Sequence, residues 1–297
     1  MNSKNNLEKV IELNSRILGS ILFIEENVLL DTNILSGPSL LKTGDIIKES
    51  LKKNITYLDE SNCEKLKIME KFLSKIGDYV ESFEWVVSVP EVIDEMSRFK
   101  DLCRNRKKFI IENSNKNFIS NDINNNAFVS FKNLCKHSKR IVETLKNREM
   151  NNKFQFVGNK TYRNFKDLVN LGYNLFVKKE KTCPDDGLVA GALTLLNNGK
   201  EPVAIISNDR GIFDRVSMIK SIYFTYPGID SKMYNKIALS GISVYSFNID
   251  LERYMLIGNT RFKGMKFYLS NSGDKRENIQ WAMNYVKKKN LECELIT

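Results

Sequence analysis

Four acidic residues stand where an α/β chain could bring them together. Asp31 ends the apolar run of "VLLDTNILSG", Glu95 lies in "VPEVIDEM", Asp186 in "CPDDGLVAGAL" and Asp209 in "IISNDRGIF". Two unit charges about 4 Å apart repel by roughly 4 kcal/mol at an effective dielectric of 20. Four carboxylates gathered without a cation therefore repel several times over or stay partly protonated. No run of cations adjoins these acids in sequence. A divalent ion resolves the repulsion, and Mg²⁺ or Mn²⁺ suits an all-oxygen set held by Asp31, Glu95, Asp186 and Asp209. A plainer reading stands beside this one. Asp, Thr and Asn after an apolar run are ordinary turn and cap residues.

The elements needed to position such a set can be read from the pattern. Apolar strands are expected at 28–30, at Trp85–Val89, at 203–206 and in "ISVYSF". They alternate with helices, as in a parallel sheet covered on both faces. Ligands of such sheets sit beyond the carboxyl ends of the strands, where Asp31 and Asp209 would both project. A helix opened by Pro90 places Val92, Met96, Phe99 and Cys103 on one face. Glu95 lies about 75° from the centre of that face and Asp94 nearly opposite it. Glu95 is thus directed to the cleft and Asp94 to solvent, with Glu91 a weaker second choice. In the next helix, stopped by Asn198-Gly199, Asp186 approaches the packed face through its spacing to Val189 and Leu193. Asp185 is left as the cap.

The fold expected is α/β: a central, mostly parallel sheet flanked by helices, with a largely helical basic insertion at about 100–183. An amphipathic helix at 6–24 precedes the sheet, and amphipathic helices are expected in "TGDIIKESLKKNI" and "CEKLKIMEKFLSKIGDYV". Residues 1–250 form the main domain. Residues 251–297 form a small appendage of strand, helix and strand, through which a homo-oligomer or a protein partner could be contacted.

The net charge of +10 is unevenly spread. From Ser97 to Pro184 there are 20 Lys and Arg against 7 Asp and Glu, so this segment holds the entire excess. Its densest stretch, "RNRKKF", carries Arg104, Arg106, Lys107 and Lys108. The cations are interleaved with Phe109, Phe118, Phe128, Phe131, Phe154, Phe156, Tyr162 and Phe165. Phosphate backbones need cations, and unpaired bases stack on aromatic rings, although a solvated helical face above a phenylalanine core has the same composition. The single histidine, His137, excludes a zinc site built on several histidines. Five scattered cysteines suggest reduced thiols and a cytoplasmic protein. No apolar run is long enough to span a membrane, and the N-terminus lacks the form of a secretory signal.

The ordered motifs "LLDTNIL", "VPEVIDEM", "DDGLVAGAL" and "IISNDRGIF" resemble the PIN domain, a superfamily of metal-dependent nucleases, over roughly 28–100 and 183–248. The resemblance implies a three-layer sheet fold and carries over to Asp31, Glu95, Asp186 with its companion Asp185, and Asp209. It also carries over to Asn33 and Ser207, which match polar residues that brace those acids. Asn208 and Asp214, in and just after the same turn, stand as supporting residues. The implied activity is endonucleolytic hydrolysis of single-stranded nucleic acid, RNA in preference to DNA, with Mg²⁺ or Mn²⁺. The alternatives are a PIN-like scaffold that binds RNA or protein without cutting, and a structure-specific DNA nuclease.

Overall fold

The computed structural model describes residues 15, 18–19, 21–23, 25–35, 43–53, 58–114, 121–151, 156–177, 184–200, 202–207, 209, 211–212, 215–216, 242–245, 255–258, 264–269 and 292–296. Of the helix expected at 6–24, the described positions 15, 18–19 and 21–23 are helical, with Leu18, Ile21 and Leu22 buried.

The apolar runs become a parallel sheet. Its strands are β1 (Val28–Leu30), β2 (Val86–Val87), β3 (Val203–Ile206) and β4 (Ile242–Tyr245), in the order β2-β1-β3-β4. Every pairing is parallel and every strand residue is buried, as expected when both faces are covered. Hydrogen bonding continues one residue past two strands: the Asp31 N–H donates to Ile206 O at 3.1 Å and the Ser207 N–H to Tyr245 O at 2.9 Å. From β1 the chain passes to β2 on one side, then crosses to β3 on the other. Winding therefore reverses between β1 and β3, and the crevice outside their carboxyl ends is the usual ligand position in such sheets.

The helices are α1 (Thr32–Leu35), α2 (Thr43–Lys52), α3 (Glu60–Ser82), α4 (Pro90–Ser114), α5 (Asn121–Met150), α6 (Lys160–Val177) and α7 (Pro184–Asn197). In α3 the Asp59 side chain caps the first turn, accepting from Asn62 N at 2.7 Å. Cys63, Leu66, Met69, Phe72, Leu73, Ile76 and Val80 form its buried stripe. Pro90 opens α4, where its missing N–H is harmless. This helix runs on to Ser114, so the edge of the insertion expected near residue 100 falls inside one continuous helix. Helix α5 packs on α3 and α4. Its Phe131, Leu134, Ile141, Val142 and Leu145 join the same core as the sheet, while Arg148 Nη1 donates to Val86 O at 2.7 Å. The basic segment is therefore built into the domain rather than appended to it.

Helix α7 is buried on every side from Asp185 to Leu196, as an all-round apolar helix should be. Two glycines let it approach closely. A side-chain carbon at Gly191 would lie 2.7 Å from Val89 Cγ1, and one at Gly187 would lie 2.8 Å from Glu91 Oε2. The helix ends at Gly199 with φ 74°. Lys200 N donates to Leu195 O at 2.9 Å and Gly199 N to Leu196 O at 3.0 Å, the paired bonds of a glycine stop.

In the C-terminal region β5 (Met255–Gly258), β6 (Gly264–Leu269) and β7 (Glu292–Ile296) form a second sheet in that order, β5 antiparallel and β7 parallel to β6. Parallel β6 and β7 agree with the expected strand, helix and strand, although the helix itself lies outside the described residues. Strand β5 is an addition to that expectation. Among the described residues no helix is long and apolar enough to cross a membrane, and Cys63, Cys103 and Cys135 are free thiols.

Candidate active site

Asp31 sits where β1 ends, its backbone still bonded to β3 and its side chain 6% exposed. Three neutral groups hold the carboxyl. Oδ1 accepts from Thr32 N at 2.6 Å, and Oδ2 accepts from Asn33 Nδ2 at 2.6 Å and from Ser207 Oγ at 2.5 Å. Asn33 Nδ2 also reaches Ser207 Oγ at 3.2 Å. Asn33 and Ser207 thus both donate to Asp31. Burial pushes the Asp31 carboxyl up to about 6, and the nearby Asp185 and Asp209 add to the rise, against the bonds from Ser207 and Thr32.

Glu95 reaches the same corner from α4. Its Oε2 accepts from Thr32 Oγ1 at 2.5 Å, so Thr32 links Asp31 to Glu95 through its N–H and its hydroxyl. Asp94 is exposed and Glu95 half-buried, as the helical phase required. Glu91 is committed elsewhere. It accepts from Tyr162 Oη at 2.6 Å and from Lys166 Nζ, both on α6. Burial works to raise the Glu91 carboxyl, but these bonds outweigh it and hold the group below its ordinary value.

From β3, Ser207 Oγ accepts from Asp209 N at 2.9 Å, and Asp209 Oδ1 accepts from Gly211 N at 2.7 Å. Asp209 is exposed at the rim. The supporting residues Asn208 and Asp214 lie outside the described residues.

The two acids of α7 depart from their expected roles. The sequence assigns the cap to Asp185 and the cleft to Asp186, yet Asp185 is the one that faces its partners across the crevice. It raises Asp31, and a side-chain carbon at Gly211 would lie 3.0 Å from Asp185 Oδ2 and 3.1 Å from Asp209 Oδ1. Asp186 is 1% exposed and accepts from Arg215 Nε at 2.6 Å. Nearness to the packed face cannot separate the two acids, because α7 has no solvated face.

Arg215 is a site residue that the sequence pattern does not reveal. It is 4% exposed, pairs with Asp185 Oδ2 through Nη1 at 3.1 Å as well as with Asp186, and lies 3.9 Å over the Tyr173 ring of α6. It sits six positions after Asp209, too far along the chain to count as an adjoining cation. A cation that does not adjoin the α7 acids in sequence thus meets them in the fold.

The nucleic-acid set also changes. Arg104 and Lys108 are exposed and Lys107 half-buried, but Arg106 is 0% exposed, with Nη1 3.5 Å from Ser50 O and its guanidinium 5.1 Å from the Phe109 ring centre. Arg106 follows Cys103 by three positions and precedes Ile110 by four, so it shares the buried face of α4. It cannot touch a nucleic acid. Phe131, Phe156 and Tyr162 are core residues and offer no stacking surface; Phe118 and Phe154 lie outside the described residues.

Asp31, Asp185, Asp209 and Glu95 carry oxygen donors of the kind a hard divalent cation takes. Among the described residues, no three of the His, Cys, Asp and Glu side chains stand close enough together to enclose a metal ion. Comparison of the chain with family models, with curated proteins and with solved structures gives no match.

Proposed function

We propose that this chain is a metal-dependent endonuclease of PIN type that cuts single-stranded nucleic acid, RNA in preference to DNA. The observation that carries the proposal is Asp31. A carboxyl is held almost out of water, at the reversal point of a parallel sheet, facing Asp185 and Asp209, and its hydrogen-bond partners among the described residues are neutral. A carboxyl placed in this way gains from a positive charge brought close to it. The acids that would hold Mg²⁺ or Mn²⁺ are Asp31, Asp209, Asp185 and Glu95, with Asp185 replacing Asp186 in the set expected from the sequence.

When bound, the ion would generate an attacking hydroxide near neutral pH and stabilise the leaving oxygen of a phosphodiester. The chain's own residues do the positioning. Ser207, Asn33 and Thr32 fix both Asp31 oxygens, so the carboxyl meets an incoming cation in one orientation. Thr32 ties Glu95 to that geometry. Arg104, Lys107 and Lys108 supply positive charge along α4 for the phosphate backbone.

The second reading, a scaffold that binds without cutting, draws support from Arg215, whose guanidinium already answers two of the acids. Incubating the purified chain with Mn²⁺ and single-stranded RNA, single-stranded DNA or a branched duplex separates the readings. The proposal expects cleavage of single-stranded RNA that is lost in Asp31→Asn. Binding without cleavage would establish the scaffold, and preference for the branched duplex would establish the DNA nuclease.

A further inference from the structure

Two-ion nucleases place their cations roughly 3.5–4 Å apart and share carboxylates between them. Here the carboxylates of α7 are already shared with a cation of the chain itself. Arg215 Nη1 is 3.1 Å from Asp185 Oδ2 and Nε is 2.6 Å from Asp186 Oδ1. The space at Gly211 locates this guanidinium more closely. A side-chain carbon there would lie 2.7 Å from Arg215 Nη1, 3.0 Å from Asp185 Oδ2 and 3.1 Å from Asp209 Oδ1. One guanidinium nitrogen and both carboxyl oxygens therefore surround the same point. An ion bridging Asp185 and Asp209 would have to lie beside this guanidinium.

Nothing about this cation is transient. A guanidinium keeps its charge at any working pH and matches carboxylates with a planar fork of donors. Tyr173 supports the opposite side, its ring 3.9 Å from the guanidinium carbon, and the whole side chain is buried.

We infer that the site takes one divalent ion, on the Asp31 side, and that Arg215 occupies the place of the second as a fixed internal cation. The inference rests on the proposed metal-dependent reading and narrows it. Arg215 is a positioning residue in this scheme: it orients Asp185 and Asp186 and limits how many ions the acids admit.

Counting bound Mn²⁺ tests it without recourse to activity. The full chain at neutral pH is titrated with Mn²⁺, and the free ion is read from its electron paramagnetic resonance signal. One ion per chain is expected for the wild type, two for Arg215→Gln, and one again for Arg215→Lys, which restores a charge at that place. Two ions in the wild type, or a folded Arg215→Gln that still takes one, would overturn the inference while leaving the metal-dependent reading intact. No bound Mn²⁺ in the wild type would remove both. Should Arg215→Gln lose its far-ultraviolet circular dichroism, Tyr173→Leu replaces it. That variant unseats the guanidinium and should admit a second ion at least tenfold more weakly than the first, whereas a single ion there overturns the inference.

Discussion

Asp31 and the Asp185–Asp186 pair stand at the same edge of the sheet, and both are nearly closed off from water. Their surroundings answer that burial differently. Asp31 receives three neutral donors, and its carboxyl rises to about 6. The pair on α7 receives a guanidinium, a full charge on a planar fork. Neutral dipoles only partly replace lost hydration, whereas an ion pair with added hydrogen bonds can replace it. The α7 side thus has a counter-charge within the chain, and on the proposed metal-dependent reading the β1 side is where a cation from solution has something to gain.

The largest test of that contrast is Asp31→Asn in a cleavage assay with saturating Mn²⁺. Loss on the order of a thousandfold is expected, about 4 kcal/mol of barrier, and unchanged turnover would remove Asp31 from the chemistry. Glu95→Gln should impair cleavage far more than Asp94→Asn, since only Glu95 reaches Thr32.

Next comes Arg215→Gln, which leaves two buried acids without their cation. Breaking a buried pair from one side costs about 3–5 kcal/mol, measurable as a lower urea midpoint at neutral pH. A shift within experimental error would mean that the α7 side does not depend on its cation.

Asp31→Asn should have the opposite effect on stability in chelator. The folded-state value near 6 lies above the ordinary 3.8, so the folded protein binds this proton more tightly than the unfolded chain. Wild-type stability should therefore fall as pH rises from about 4 to about 6 and stay lowered above that. The variant lacks this dependence and should exceed the wild type by about 1–2 kcal/mol at pH 7, after allowance for weakened hydrogen bonds. Equal stabilities at pH 7 would show that Asp31 is not strained.

Glu91 provides a control of opposite sign. Its carboxyl is held below the ordinary value, so its contribution is present above that value and lost as pH falls through the folded one. Glu91→Gln should cost about 1 kcal/mol near neutrality and nothing in acid, as followed by thermal melts.

The smallest effect concerns binding. Replacing Arg104, Lys107 and Lys108 with Gln, leaving Arg106 in the core, should flatten log affinity for single strands against log salt. The slope should fall by about 0.7 for each phosphate that is no longer neutralised. An identical slope would make this face merely solvated.

The sequence is most readable where a local pattern has one physical cause. Apolar runs ending in Asp31 and Ser207 mark strands whose final backbone bonds survive in the sheet. Pro90 and Asn198-Gly199 mark helix ends because proline tolerates a first turn and glycine adopts positive φ. Glu95 follows from helical phase. The same phase, carried three residues beyond Cys103, buries Arg106, and there periodicity outranks the density of positive charge around it. Arg215 is not readable in this way. Its partners are 29 and 30 positions earlier, and no local period connects position 215 to the start of α7. The division of labour between Asp185 and Asp186 is hidden for a related reason, because a helix covered all round gives phase nothing to distinguish.

The closeness of α7 to its neighbours has a consequence for motion. A helix buried from Asp185 to Leu196, with Gly191 set against Val89, exchanges its amide hydrogens only when much of the domain opens. Asp209 is exposed just beyond β3, and its amide is expected to exchange through small local openings. In deuterium labelling, the crevice should therefore show one wall that exchanges in days and another that exchanges in seconds. On the proposed nuclease reading, a substrate would meet α7 as the fixed wall of the crevice.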